Sequence, residues 1–462
     1  MSTHLPDTQQ ADTHEARERR LTRDVAGQRL AATAYNENFG DVKTPLTHHE
    51  ALVEADRCYF CYDAPCMNAC PTRIDIPQFI RQIQTGDYVG SAETILEANI
   101  MGGMCARVCP TETLCEEVCV REVAENKPVK IGLLQRYATD AVVLGDGEHP
   151  FTRAEPTGHR VAVIGAGPAG LACAHRLARH GHDVTVYEAR PKPGGLNEYG
   201  IAAYKATEEF AQAEVDFILG IGGIEIEYGH ALGRDVTIEG LRTEYDAVFV
   251  GAGLGDTNDL DVPGADADGV IDAVRYIEEL RQTDDLSRLP VGRRVVVIGG
   301  GMTATDIASQ IKLLGAEEVT MIYRRGPDAM PSSRLEQDHA RMLGVTIRHF
   351  AMPKRVLVTD GAVSGIECER TRVNGRVEGT GETFILDADQ VFLAIGQLPE
   401  VEPFRGLKTE RGRIVVDAAR ATSLEGVWAG GDCVAGGEDL TVVAVEDGQV
   451  GAEAIHAWLE GR

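Results

Sequence analysis

A chain of 462 residues is long enough for two or three domains with sizeable cores. Its 72 acidic residues against 45 basic ones leave a formal charge of −27, which argues against nucleic acid and anionic membranes as partners, since both call for a basic surface. No uninterrupted apolar run reaches the roughly 18 residues of a membrane span, and no apolar stretch near the start resembles a signal peptide, so the chain reads as soluble and cytoplasmic.

Residues 1–45 are polar, with helix-prone stretches such as Glu15-Ala16-Arg17-Glu18, and composition predicts an arm or a partner-facing extension. Thr47-His48-His49-Glu50 is a capping box that opens a helix. His48 and His49 fall in its first turn and read as surface residues rather than metal ligands.

Eight of the eleven cysteines lie in one stretch: Cys58, Cys61, Cys66 and Cys70-Pro71, then Cys105, Cys109-Pro110, Cys115 and Cys119. Soft thiolates at short spacings are what iron–sulfur clusters require, and two runs, each with a Cys-Pro step, fit a two-cluster pattern. Disulfides would need an oxidising compartment. Zinc favours paired C-x2-C units or Cys/His mixtures, whereas one C-x2-C occurs here and no histidine lies among the cysteines. Ile76-Pro77-Gln78-Phe79-Ile80 and residues 91–99 show helical apolar spacing between the runs, so residues 46–155 are expected to form a helical domain around the clusters.

From Arg160 the pattern becomes α/β. The buried-strand run Val161-Ala162-Val163-Ile164 leads into Gly165-x-Gly167-x-x-Gly170, a helix over residues 171–180, and a strand, residues 184–187, closing on Glu188. This is a whole dinucleotide fingerprint: the glycines admit the pyrophosphate to a helix N-terminus, and the acid takes a ribose hydroxyl. Gly195 and Leu196 join these residues as candidate FAD contacts. The unit recurs as a strand over 294–298, then Gly299-x-Gly301-Met302-Thr303-Ala304, a helix to Leu314, and a strand over 319–323. Here the strand runs into Arg324-Arg325 instead of an acid. The arginines either face solvent or pair with a 2′-phosphate, and the second reading favours NADPH over NADH.

Two fingerprints in this order predict an FAD domain, residues 156–263 and 397–462, with a nicotinamide domain, 264–396, inserted into it. The fold class is therefore α/β, with two nested Rossmann-like domains preceded by an all-α iron–sulfur domain. Gly431-Asp432 returns the chain to the flavin's ribityl–phosphate region, and a helix starting at Thr441 can turn its positive end to the isoalloxazine ring. Cys173, Cys368 and Cys433 read as small apolar fillers and contain no Cys-x-x-Cys for a dithiol relay.

These residues together resemble the two-dinucleotide-binding flavoproteins. Residues 57–66, Ala69-Cys70-Pro71-Thr72-Arg73-Ile74-Asp75, Cys109-Pro110-Thr111-Glu112-Thr113-Leu114-Cys115 and Ile131-Gly132-Leu133-Leu134-Gln135 are similar to the N-terminal half of dihydropyrimidine dehydrogenase and its free-standing bacterial electron-input subunit. The glutamate synthase small subunit shares the architecture, without the Ala-Pro-Cys and Ile-Gly-Leu-Leu-Gln features. The resemblance implies one 4Fe–4S cluster on Cys58, Cys61, Cys66 and Cys119, and a second on Cys70, Cys109, Cys115 and the amide oxygen of Gln135. Spacing alone would nominate Cys105 for that last place. It also implies an NAD(P)H-dependent oxidoreductase that passes electrons through FAD and both clusters to an FMN-containing partner reducing uracil or thymine. A heterotetramer is expected, since the chain ends at Arg462 without a barrel for FMN.

Overall fold

The computed structural model describes residues 24–461, and the helix-prone stretch at residues 15–18 lies outside them. Residues 24–40 with 257–396 form one compact unit, and residues 41–256 with those from 397 onward form another.

The second unit begins as a helical layer. Thr47 Oγ1 accepts from Glu50 N (3.3 Å) while the Glu50 carboxylate accepts from Thr47 N (2.8 Å), so the capping box starts the helix His48–Asp56 as the sequence predicts. Helix Ile76–Thr85 is capped by the Asp75 side chain and ended by Gly86, and it buries Ile76, Phe79, Ile80 and Ile83 on one face. That face meets Ala51, Ala55, Ile95, Leu134 and Ala138 in a core that also takes in Cys70, Cys105 and Cys115. Helix Tyr88–Ala98, the short helix Gly102–Val108 and helix Ile131–Val143 complete the layer.

Behind it stands a five-stranded parallel sheet in the order Val427–Ala429, Ala247–Val250, Arg160–Ile164, Asp183–Glu188, Ile224–Tyr228. The fingerprint helix, Pro168–Arg179, starts earlier than the apolar pattern suggests, because Pro168 has a preset φ and no N–H to leave unbonded in the first turn. It packs on the long helix Thr441–Glu460 so closely that a Cβ at Gly448 would lie 2.2 Å from the Ala169 carbonyl oxygen. Ala92, Leu96, Ile100 and Met101 of the helical layer share a core with Val161, Val163, Phe249 and Val445. That continuous core is why the helical and flavin segments, expected as separate domains, form one unit.

The first unit carries a parallel sheet in the order Val345–His349, Glu318–Tyr323, Arg294–Gly299, Gln390–Ala394, Val270–Asp272. An antiparallel sheet of Ala351–Thr359, Ala362–Asn374 and Arg376–Asp387 accompanies it. Residues 24–40, read from composition as part of an arm, belong here. Val25–Ala26 pairs antiparallel with Val291–Gly292, Arg29 Nε donates to Val291 O (3.0 Å), and Asn38 Nδ2 donates to Leu313 O (2.8 Å). Main-chain pairing is indifferent to side-chain polarity, so composition could not announce it. The unit begins after Asp256, earlier than the break expected at residue 263. Among the described residues no helix is long and apolar enough to cross a membrane.

Candidate functional site

The eight clustered cysteines are all unpaired. Cys58 and Cys61 follow helix His48–Asp56, and Ala64 in a left-handed conformation opens helix Pro65–Ala69 with Cys66 in its first turn. Cys119 caps helix Val120–Glu125. Although Cys119 is remote in sequence, these four thiols line one cavity, walled by Ile76, Ile80, Val129 and Ile131. Burial pushes the Cys66 thiol up to about 12 and raises that of Cys58. Such thiols ionise only when a metal takes the thiolate.

Burial raises the Cys70 and Cys115 thiols; Cys109 lies close enough to add to both, and Cys70 adds to Cys115. Gln135, buried on helix Ile131–Val143, donates from Nε2 to Gly102 O (2.7 Å). That bond commits the amide nitrogen and leaves Oε1 as the acceptor. Cys105 is buried within helix Gly102–Val108, and its thiol bonds that of Cys109, which holds it well above the usual thiol range. Among the described residues no three His, Cys, Asp or Glu side chains converge to hold a single metal ion.

On the flavin side, Gly165 has φ +90° and a Cβ at Gly170 would lie 1.9 Å from its carbonyl oxygen, so the turn and the helix start meet backbone to backbone. A Cβ at Gly195, which has φ +56°, would lie 2.7 Å from Gly167 Cα, and Leu196 then begins helix Leu196–Tyr199. Glu188 is pinned by Ala166 N and Arg190 N, each at 2.8 Å, and its remaining lone pairs can accept a ribose hydroxyl. Gly431 N donates to Asp447 Oδ2 (2.9 Å), and Arg420 pairs with the other Asp447 oxygen at 2.5 Å. Burial, then the nearby Asp439, pushes Asp432 up to about 6. Thr441 Oγ1 donates to Asn197 Oδ1 (2.9 Å), and Asn197 Nδ2 donates to Met101 Sδ (3.6 Å).

Sequence reasoning missed Asn197, Asp447 and Arg420. Asp447 was visible beside Glu446 as an acidic pair in an otherwise apolar start of the helix. The first turn of the flavin helix also reaches the cysteines, because Val442 is buried in the same core as Cys70, Cys105 and Cys115. The cavity of Cys58, Cys61, Cys66 and Cys119 is lined instead by Tyr59 and Val120, both exposed at its edge.

In the other unit, Gly301 caps helix Met302–Leu313 and faces open space, Thr303 is half-buried, and Ala304 is buried where a Cβ at Gly299 would crowd it. Arg324 and Arg325 are exposed at the end of strand Glu318–Tyr323. Thr371 Oγ1 and Phe350 N tie their carbonyls at 2.8 and 3.1 Å, and among the described residues no carboxylate pairs with either guanidinium.

Residues 159–448 match the family described as pyridine nucleotide-disulphide oxidoreductase, and residues 35–145 match dihydropyrimidine dehydrogenase domain II, 4Fe-4S cluster. The chain is 37% identical over 429 residues to the NAD-dependent dihydropyrimidine dehydrogenase subunit PreT of Escherichia coli K12, covering 92% of this chain and 98% of that one. It is 34% identical over 447 residues to the glutamate synthase (NADPH) small chain of the same organism, covering 91% and 94%. Mycobacterium tuberculosis FprA in complex with NADPH shares the fold at a TM-score of 0.56 and 19% identity, over 66% of this chain and 85% of that one. The thioredoxin reductase of T. acidophilum does so at 0.50 and 21%, over 65% and 98%. Two nucleotide fingerprints, each on its own parallel sheet, and a cysteine-rich helical layer thus belong to a chain of the pyridine nucleotide-disulphide oxidoreductase family, an NAD(P)H-dependent flavin oxidoreductase with an N-terminal 4Fe–4S domain.

Proposed function

We propose that this chain is the electron-input subunit of a dihydropyrimidine dehydrogenase. It would draw electrons from NADPH through FAD and two 4Fe–4S clusters, and pass them to an FMN-containing subunit that reduces uracil or thymine, within a cytoplasmic heterotetramer. The observation that supports this most is the shared core of Val442 with Cys70 and Cys115, which sets the start of the flavin helix against the second cysteine set. Electrons would therefore reach that set first and leave by the cavity of Cys58, Cys61, Cys66 and Cys119.

When bound, the flavin supplies the exchange between a two-electron hydride and single electrons. The protein's share is binding and orientation. Gly165, Gly167 and Gly170 would admit the pyrophosphate to the N-terminus of helix Pro168–Arg179, with Glu188 on the ribose, Gly195 and Leu196 alongside, and Gly431 and Asp432 at the ribityl chain. Thr441 begins the helix whose positive end would face the ring. Cys58, Cys61, Cys66 and Cys119 would hold one cluster, and Cys70, Cys109, Cys115 with Gln135 Oε1 the other. Gly299, Gly301, Thr303 and Ala304 would cradle the nicotinamide coenzyme's phosphates, with Arg324 and Arg325 on a 2′-phosphate. PreT is NAD-dependent by name; the uncommitted arginines lead us to NADPH.

Reconstitution tests the reading. Alone, the chain is expected to reduce artificial dyes with NADPH and to leave uracil untouched; with an FMN-containing partner it should oxidise NADPH at the expense of uracil. Productive coupling to a glutaminase-containing partner instead would make it a glutamate synthase subunit.

A further inference from the structure

Glu214 lies on helix Phe210–Leu219 and is 1% exposed. Its Oε1 accepts from Gly103 N (2.8 Å) and Met104 N (3.0 Å) in the first turn of helix Gly102–Val108. Oε2 is shut off from solvent and has no hydrogen-bond partner among the described residues. The groups that face it are Arg107 and Cys105 on that helix and Asp140 on helix Ile131–Val143. Arg107 is already committed: it makes a two-pronged bond to Asp140 (2.8 and 3.0 Å) and stacks on the Phe210 ring at 3.3 Å. Asp140 also takes Arg136, which pairs with Asp41 as well. A buried carboxylate with one bare oxygen and no cation of its own favours its neutral form, and burial pushes Glu214 up to about 8.

Its position gives that proton a use. Gly103 and Met104 stand between Gly102, whose carbonyl holds Gln135, and Cys105, whose thiol bonds Cys109. Glu214 thus touches neither of these two proposed ligands, yet one helical turn ties it to both. On its own helix, Gln212 Nε2 donates to Pro193 O and to Glu198, each at 2.9 Å, beside the Gly195 turn.

We propose that Glu214 is a redox-linked proton site, at which, whenever its carboxylate is ionised, one electron arriving on the second cluster is matched by one proton from solvent bound at Oε2. The electron comes from the reduced flavin and the proton from water, so the buried charge is unchanged and no other reactant is required. By linkage, a protonated Glu214 raises the cluster's potential, and a reduced cluster tightens the proton. This rests on the reading that Cys70, Cys109, Cys115 and Gln135 hold a cluster.

The test is a redox titration of the intact holoprotein, followed by electron paramagnetic resonance, at about pH 6 to 10. One of two cluster potentials should stay level below about pH 8, where Glu214 already holds its proton, and fall above it by about 59 mV per pH unit, the equivalent of a tenfold change for one electron, while the other stays level throughout. Glu214→Gln keeps an oxygen for the two N–H groups and should level the sloping potential. In wild-type protein at about pH 9, infrared difference spectra should show a carboxylic-acid band growing on reduction, which decides the matter even if the variant does not fold. Two clusters with level potentials, a slope that survives Glu214→Gln, or no such band overturns the proposal. A chain that binds only one cluster overturns the ligand reading beneath it as well.

Discussion

Arg324 and Arg325 stand where the first fingerprint has Glu188, and with their carbonyls tied down their guanidiniums are uncommitted among the described residues. Changing both to Ala should raise the KM for NADPH roughly ten- to a hundredfold, since a hydrogen bond to a charged group contributes about 1.5–3 kcal/mol. The KM for NADH should barely move. Steady-state assays with both coenzymes check this, and equal effects would mean the arginines merely face solvent. Residue identity was least legible at the second cysteine set. If Gln135 is the fourth ligand, as we propose, no thiolate rule could nominate an amide, whereas Cys105 has the right spacing but lies inside a helix, bonded to Cys109. Cys115→Ala should therefore cost about half the iron and acid-labile sulfide of a two-cluster chain, and Cys105→Ala should leave both in place. Metal and sulfide analysis of anaerobically purified protein reads the difference.

At the level of elements, both fingerprints were legible because their signal is a strand, a glycine turn and a helix in fixed order, and each strand falls within a residue of its expected limits. Two things were hidden. Residues 24–40 are held by the short strand Val25–Ala26 and by Arg29 and Asn38 bonding backbone carbonyls, none of which leaves a mark in composition. The contact between helices Pro168–Arg179 and Thr441–Glu460 rests on Gly448, whose role appears only when the Ala169 carbonyl is seen above it. The strain there is between backbones, so no side-chain rotation relieves it. Gly448→Val should lower stability by about 1–3 kcal/mol, the usual cost of overpacking, and purify with less FAD. Thermal melts and flavin absorbance measure both effects, and unchanged values would show that the helices part easily.

Across the whole molecule, the sequence divides at the change from cysteine-rich helices to α/β pattern, but the core does not. Ala92, Leu96, Ile100 and Met101 pack among the strands of the flavin sheet, and Val442 packs among the cysteines. Hydrophobic periodicity says which face of a helix is buried but not against which partner, so this fusion could not be read from the chain. Its consequence is a short covered route from flavin helix to cysteines, and the claim that electrons take it can be tested by breaking the route at either set. Wild type, Cys66→Ala and Cys115→Ala would each be mixed anaerobically with NADPH in the presence of the FMN-containing partner and uracil. Flavin bleaching, followed by stopped flow, should proceed at the same rate in all three, while dihydrouracil formation should fall at least about a hundredfold, or roughly 2.7 kcal/mol in transfer barrier, in both variants. Dihydrouracil formed at the wild-type rate by either variant would contradict the account, because electrons would then be leaving the flavin by another path.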